Sequence, residues 1–463
     1  MITLAPADLA LILGYLVFLA FVIWRTRDQV HAGEADFLLL GRTMTLPAFV
    51  ATLVSTWYGG ILGVGEYSFL YGISNWLVFG VPYYLAALLF ALFLASPARR
   101  SRVLSIPDQL ERAYGRGPAL LGAGVVFLMT VPAAYVLMLG VLLRMFFGGP
   151  LVLWILAGAA ASGLYVGIGG FRSVVRTDVL QFVLMYLGFA LLLAVAAGRY
   201  GGFAFLHESL PPAHLSWSGG RSLGAIAVWY VIALSTLVEP SFYQRCYAAR
   251  STSVARGGIL VSILFWIVFD ALTTFTGLYA RAVLGPGTDP LTSYPALAER
   301  VLPVGLKGLF FVGLLAVIMS TVDSYSFLAA QSLGRDIISR ARGEVGTWRL
   351  RRFQWSLAAS SLLAVLLAAW KGSVVGLWHD LGSLGTPMLL FPLAAGFRRP
   401  PLVPRRFVLP SMAVSGLTAL LWLLAGEPDG AYPFGLEPIY PGLAVSALIL
   451  SAGALLRWRT GAS

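Results

Sequence analysis

Thirteen stretches of about twenty mostly apolar residues succeed one another along this chain, centred on residues 7–25, 46–73, 76–97, 118–144, 151–168, 177–198, 222–240, 257–284, 304–334, 352–370, 373–396, 407–425 and 439–457. A helix of that length rises roughly 30 Å, the depth of bilayer hydrocarbon. Of the 463 residues, 59% are hydrophobic and 11% charged, more apolar surface than a soluble domain of this size could hide. The pattern specifies an all-α polytopic membrane protein. The first stretch lacks a basic start and a small-residue cleavage site and is followed at once by Arg25 and Arg27. It reads as a retained helix with its N-terminus outside.

The net charge of +12 follows the spans. Threading thirteen helices from an outside N-terminus puts 25 of the 32 Lys and Arg residues inside and leaves Arg144, Arg199, Arg221, Arg281, Arg300, Lys307 and Lys371 outside. That is the positive-inside bias, so basicity here sets orientation in a cell (inner) membrane, with a cytoplasmic C-terminus, and calls for no nucleic acid. Cys246 is the single cysteine, which excludes an intrachain disulfide, and the four histidines form no zinc spacing. No phosphate-binding Gly-Lys-Ser/Thr loop is present, so any pumping draws on an ion gradient and no enzyme activity is expected.

The longest polar loops lie at about 98–117, 199–221, 284–303 and 335–351, and Ser105–Arg112 is expected to form a small amphipathic cytoplasmic helix. Residues 1–463 read as a single transmembrane domain, with core repeats at about 46–198 and 222–396 and peripheral helices at 7–25, 407–425 and 439–457. Two spans are interrupted by their own sequence. The second carries Gly59, Gly60, Gly63 and Gly65 between Thr56-Trp57-Tyr58 and Glu66, and the seventh carries Glu239-Pro240 at its inner end. Glycine loosens a helix and proline removes a backbone donor, so both expose carbonyls. Such backbone is tolerated at depth only where it is buried in protein or lines a cavity. Interrupted helices five spans apart and opposite in direction mark an inverted repeat with a site at its interface.

Near the middle of the ninth span the chain reads Met319-Ser320-Thr321-Val322-Asp323-Ser324. At roughly 100° per residue, Ser320, Thr321, Asp323 and Ser324 fall within an arc about 160° wide, with the Val317 carbonyl between the first two. Serine and threonine hydroxyls commonly bond back to carbonyls one turn earlier. A carboxylate in the same arc, costing about 2.5–3.5 kcal/mol at mid-membrane, favours a site for a hard cation. Asp178, in Arg176-Thr177-Asp178, reads equally as a first-turn acid behind a Thr177 N-cap or as a cation ligand drawn into the bundle. Trp57, Tyr58, Glu66, Glu239, Phe242 and Tyr243 surround the two breaks and could wall a solute pocket, although Tyr243 is expected to anchor at the headgroups. Glu66 and Glu239 suit a cationic or hydroxyl-rich solute better than an anion. Asp270 and Asp380 are further buried acids, for which an arginine partner and a direct role are equally open. The small-residue run 157–163 is read as tight helix packing alone.

These residues resemble the sodium:solute symporter family, which includes proline, pantothenate, sialic acid and sugar symporters. Four stretches carry the resemblance: Phe37–Arg42 (FLLLGR), Gly169–Gln181 (GGFRSVVRTDVLQ), Tyr243–Arg250 (YQRCYAAR) and Ser320–Ser324 (STVDS) followed by Arg335-Asp336. The resemblance implies the five-plus-five inverted-repeat fold of the leucine-type transporters and sodium-coupled import of a small organic solute by alternating access. It implies a sodium site made by the Ser55, Tyr58 and Val317 carbonyls and the Ser320 and Thr321 hydroxyls. It also implies a second cation or proton site at Ser320, Asp323, Ser324 and Asp178, and solute contacts from Trp57, Glu66, Glu239 and Phe242. Glu239 stands where sugar-transporting members place an amide, so their solute is not carried over. Proton coupling through Asp178 and Asp323, and a solute sensor without transport, are the alternatives.

Overall fold

Apolar runs of this length leave the backbone one way to satisfy itself in lipid, and the chain takes it. The computed structural model describes residues 2–27, 33–371, 374–398, 400–426 and 432–460. Among them there is no strand, and the one isolated bridge pairs Met44 with Ala249. The helices used below are α1 (Pro6–Arg27), α2 (Leu46–Trp57 continued by Ile61–Tyr71), α3 (Trp76–Ser101) and α4 (Arg116–Phe147). They continue as α5 (151–169), α6 (171–200), α7 (Leu223–Ala248), α8 (Thr252–Leu284), α9 (Leu306–Ser339), α10 (Leu350–Lys371), α11 (Val374–Gly396), α12 (Arg405–Leu424) and α13 (Ile439–Thr460). Eleven described helices are long and apolar enough to cross a membrane.

Helices α5 and α6 run on from one another and turn at Gly170, whose φ of 59° only glycine adopts cheaply. A Cβ there would sit 2.9 Å from the Phe37 ring, so the turn also seats the chain ahead of α2. Thr177 is accordingly not an N-cap. Its hydroxyl donates to the Ser173 and Val174 carbonyls, well inside α6. The amphipathic helix expected near Ser105 spans Ile106–Tyr114, with Ser105 accepting from the Asp108 amide.

The spans differ in how far the bundle covers them. In the apolar windows of α2, α4 and α9, 83%, 78% and 89% of residues are buried, against 28% in α1, α7 and α13. The hydroxyls and carboxylate of α9 thus sit on one of the most enclosed helices, away from lipid. Both interruptions form. In α2 the chain passes through a 3₁₀ turn at Tyr58–Gly60, and in α7 through a 3₁₀ segment at Ala233–Val238. Glu239 is then extended (φ −63°, ψ 114°) before a new helix starts at Pro240. The inner ends of α2 and α7 are tied by Met44 N–H to Ala248 O (3.1 Å) and Arg250 N–H to Met44 O (3.0 Å). Tyr243 is buried rather than at a lipid interface, and its hydroxyl donates to the Leu237 carbonyl.

Candidate functional site

The break in α2 lies directly against the hydroxyls of α9. Thr321 Oγ1 donates to the Thr56 carbonyl at 2.8 Å and has the Val317 carbonyl at 3.4 Å. Ser320 Oγ lies 2.6 Å from Asp178 Oδ1 and 2.9 Å from Ser55 Oγ. The carbonyl that meets Thr321 thus belongs to Thr56, between the expected Ser55 and Tyr58; the Ser55 hydroxyl meets Ser320 instead. Tyr58 turns its phenol the other way, onto Asp270 Oδ1 at 2.9 Å. Gly59 makes the approach possible, since a Cβ there would stand 2.3 Å from Thr321 Cβ and Oγ1. Ser55 Oγ gives its hydrogen to the Ala51 carbonyl at 2.9 Å, and Ser320 has one hydrogen for two oxygens. Oxygens outnumber hydrogens at this junction, which is chemistry a hard cation relieves.

One arc of α9 therefore serves three neighbours. Thr321 and Ser320 face α2, with Ser320 also reaching α6 through Asp178. Asp323, at the other edge, turns to α5, where Ser162 Oγ donates to its Oδ1 at 2.5 Å. Between them Ser324 Oγ lies 3.0 Å from Thr56 Oγ1. Asp178 is fully buried, accepts from Thr52 as well as Ser320, and has the Arg245 guanidinium 3.8 Å away. Arg245, fully buried on the inner arm of α7, donates to Thr52 Oγ1 (3.0 Å), Thr56 Oγ1 (2.8 Å) and Ser324 Oγ (2.8 Å). A permanent positive charge is thus built in beside Asp178.

Above this layer, between the two breaks, lies a cavity of about 190 Å³. Trp57, Tyr58 and Glu239 line it with Tyr83, Tyr135, Trp229, Tyr325, Asp270 and His379. Glu239 Oε1 accepts from Tyr325 Oη at 3.0 Å and from the Ser241 amide at 3.3 Å. Glu66 is not among the lining residues, and Phe242 stands behind Trp57 with ring centroids 5.5 Å apart. Asp270 has phenols rather than an arginine as partners, Tyr58 and Tyr84. Asp380 pairs with His379, whose other ring nitrogen is 2.8 Å from Glu437 Oε2.

The comparisons with known proteins bear on this arrangement. The sodium:solute symporter family profile matches residues 37–376, taking in both breaks, the hydroxyls of α9 and Arg245. The chain belongs to the sodium:solute symporter family. Among its relatives, the human high affinity choline transporter 1 is 26% identical over 428 residues, 83% of this chain and 71% of that protein. The sodium/pantothenate symporter of Escherichia coli (strain K12) is 24% identical over 303 residues, 63% of this chain and 61% of its own length. A structure of a Na+-coupled sialic acid symporter in its substrate-bound outward-open state superposes with a TM-score of 0.78 at 16% identity, covering 97% of each chain. The nucleobase-cation-symport-1 family transporter Mhp1 matches with a TM-score of 0.60 at 14% identity, over 90% of this chain and 92% of that one. These likenesses fix the fold as the five-plus-five inverted repeat of the leucine-type transporters. The protein is a sodium-coupled symporter that imports solute by alternating access, not an enzyme, and sodium is its coupling ion.

Within this symporter, several site-forming residues escaped the sequence reading. Ser162 lies in the 157–163 run assigned to packing, and Thr52 precedes Ser55 and Thr56 by one turn on the same face. Arg245 stood in the sequence only within the Tyr243–Arg250 stretch, five residues past Pro240. A second cluster lies at the C-terminal end of α9. Arg335, at the inner end of α9, contacts Glu34 (2.6 Å), Asp108 (2.8 Å) and Asp336 (2.5 Å), and Arg340 contacts Asp108 (2.5 Å) and Glu111 (3.0 Å).

Proposed function

We propose that the symporter holds its coupling sodium where α9 crosses the break in α2, with Ser320 and Thr321 hydroxyls, the Val317 and Thr56 carbonyls and the Ser55–Tyr58 turn as the ligand set. The observation that carries this is the pairing of Thr321 with the Thr56 carbonyl beside a Ser55–Ser320–Asp178 cluster in which one Ser320 hydrogen faces two oxygens. A bound cation would join α2 to α9 and favour the state in which the cavity faces outward. A small organic solute then binds between the breaks, in contact with Trp57 and Glu239, and the repeats rock, opening the Arg335–Asp108 contacts. Ion and solute favour one state together, so each must raise the affinity for the other. The unit is a single transmembrane domain in the cell (inner) membrane, N-terminus outside and C-terminus cytoplasmic, supported by the distribution of basic residues.

For the cluster of Asp178, Asp323 and Ser324, Arg245 favours a specific reading. The guanidinium hydrogen-bonds Ser324 and lies 3.8 Å from Asp178. It supplies the positive charge that a second sodium would otherwise bring, and one sodium moves per cycle. Melting of the purified protein in sodium against potassium, at equal ionic strength, tests the ion reading. Sodium should stabilise, and Thr321→Ala should remove the difference; identical melting in both salts would reject it.

A further inference from the structure

Taking the symport reading as its basis, we propose that the solute of this cavity is a small organic monocation of the alkylammonium kind, held by aromatic faces and the Glu239 carboxylate. The walls consist of rings set edge to face. Trp57 and Tyr83 stand 5.5 Å apart at 69°, Phe79 and Trp229 4.7 Å apart at 61°, and Tyr135 and Tyr325 4.9 Å apart at 60°. Seven of the nineteen lining residues are Trp, Tyr or Phe. Such crossed pairs present ring faces from several directions, and the negative face of an indole or phenol attracts a cation that has shed its water.

The charges agree. Glu239 and Asp270 both line the cavity, and no Lys or Arg does among the described residues. Asp270 is clasped by the two phenols, whereas Glu239 is half-buried and meets only Tyr325 and the Ser241 amide. Among the described residues no basic group lies within ion-pair distance of Glu239. Arg245 acts on Glu239 from beyond contact distance, so an incoming cation would be the positive charge in direct contact with the carboxylate. His379 brings no surplus positive charge, being set between Asp380 and Glu437. An anion would enter against two carboxylates. A polyhydroxylated solute would need many hydrogen-bonding groups, yet Ser235 is the one aliphatic hydroxyl in the lining and no amide side chain is there. The volume of about 190 Å³ suits a solute of roughly six to ten non-hydrogen atoms, since a cavity of about 150 Å³ takes benzene.

Three probes of nearly one shape test this: tetramethylammonium, uncharged tert-butanol and the anion pivalate, each titrated calorimetrically into the full-length protein in sodium. Tetramethylammonium should bind at least about tenfold more tightly than tert-butanol, and pivalate most weakly, a tenfold ratio being the least expected of one added charge contact. Glu239→Gln should remove that preference and leave tert-butanol unchanged. Trp229→Leu and Tyr135→Leu should each lower tetramethylammonium affinity roughly 2- to 30-fold, with Tyr135→Phe restoring it because the ring suffices. Equal or tighter binding of either other probe, or no binding of tetramethylammonium, overturns the proposal. Stabilisation by sodium without solute is scored separately. If it persists while the cation preference is missing, only the solute class fails; if it is missing while the preference holds, only the sodium site fails.

Discussion

Gly59→Ala perturbs the α2–α9 junction without removing an oxygen. The added methyl would lie 2.3 Å from Thr321 Cβ and Oγ1 and 2.4 Å from Cγ2. Carbon atoms in contact stand about 3.5–4.0 Å apart, so the helices must part by at least about 1.2 Å. The Thr321–Thr56 contact, 2.8 Å in the intact protein, would open to about 4 Å, past hydrogen-bond reach. Overpacking of this kind costs about 1–3 kcal/mol. If the cost falls on the ion-bound arrangement, sodium affinity drops about 5- to 150-fold. The assay is the sodium concentration giving half-maximal thermal stabilisation of purified protein. Gly124→Ala is the control, since a Cβ at Gly124 meets nothing within 4 Å. An unchanged sodium midpoint in Gly59→Ala would refute the idea that close approach of α2 and α9 builds the ion site.

Arg245→Gln should leave Asp178 buried without a counter-charge, a loss of about 3–5 kcal/mol, and high sodium should recover part of it with a Hill coefficient above one. A sodium response identical to that of the parent would contradict the charge-substitution reading. At the C-terminal end of α9, burial alone would raise the Asp108 carboxyl, but the Arg335 and Arg340 guanidiniums hold it below the ordinary carboxylate range. Its contribution is therefore complete above about pH 3.9 and is lost only as pH falls through the lower folded value, so the contacts persist at neutral pH. Asp108→Asn should break them there, seen as faster labelling of a cysteine at Gln331; unchanged labelling would count against a gate. Cysteines at Val345 and Gly287 should label from inside and outside respectively, with buried Cys246 silent, and reversed labelling would overturn the orientation.

The spans could be read from the sequence because hydropathy is local: twenty apolar residues in lipid have one backbone solution. The α7 break was readable for the same reason, since Pro240 cannot donate to the helix it begins. Contacts across helices were harder to foresee. Ser320 and Thr321 were picked out by spacing on one helix, but their pairing with Ser55 and the Thr56 carbonyl depends on the space left by Gly59, a register set by packing. Arg245 draws its partners from α2, α6 and α9, at positions 52, 56, 178 and 324, and no spacing within α7 announces them. Glu66 and Phe242 were chosen because they adjoin the breaks in sequence. A helix turns about 100° per residue, so adjacency along the chain placed one away from the cavity and the other behind Trp57. Tyr135 and Trp229 lie in stretches that carry no polar signal of their own, and only the assembled bundle makes them walls.

Equilibrium binding of radiolabelled sodium to the purified protein, counted per chain, most directly tests the claim that a single cation site joins α2 to α9. The account predicts one saturable sodium, lost in the Ser320→Ala/Thr321→Ala double variant and retained in Asp323→Asn. Two sodium ions per chain, or binding that survives the double variant, would contradict it.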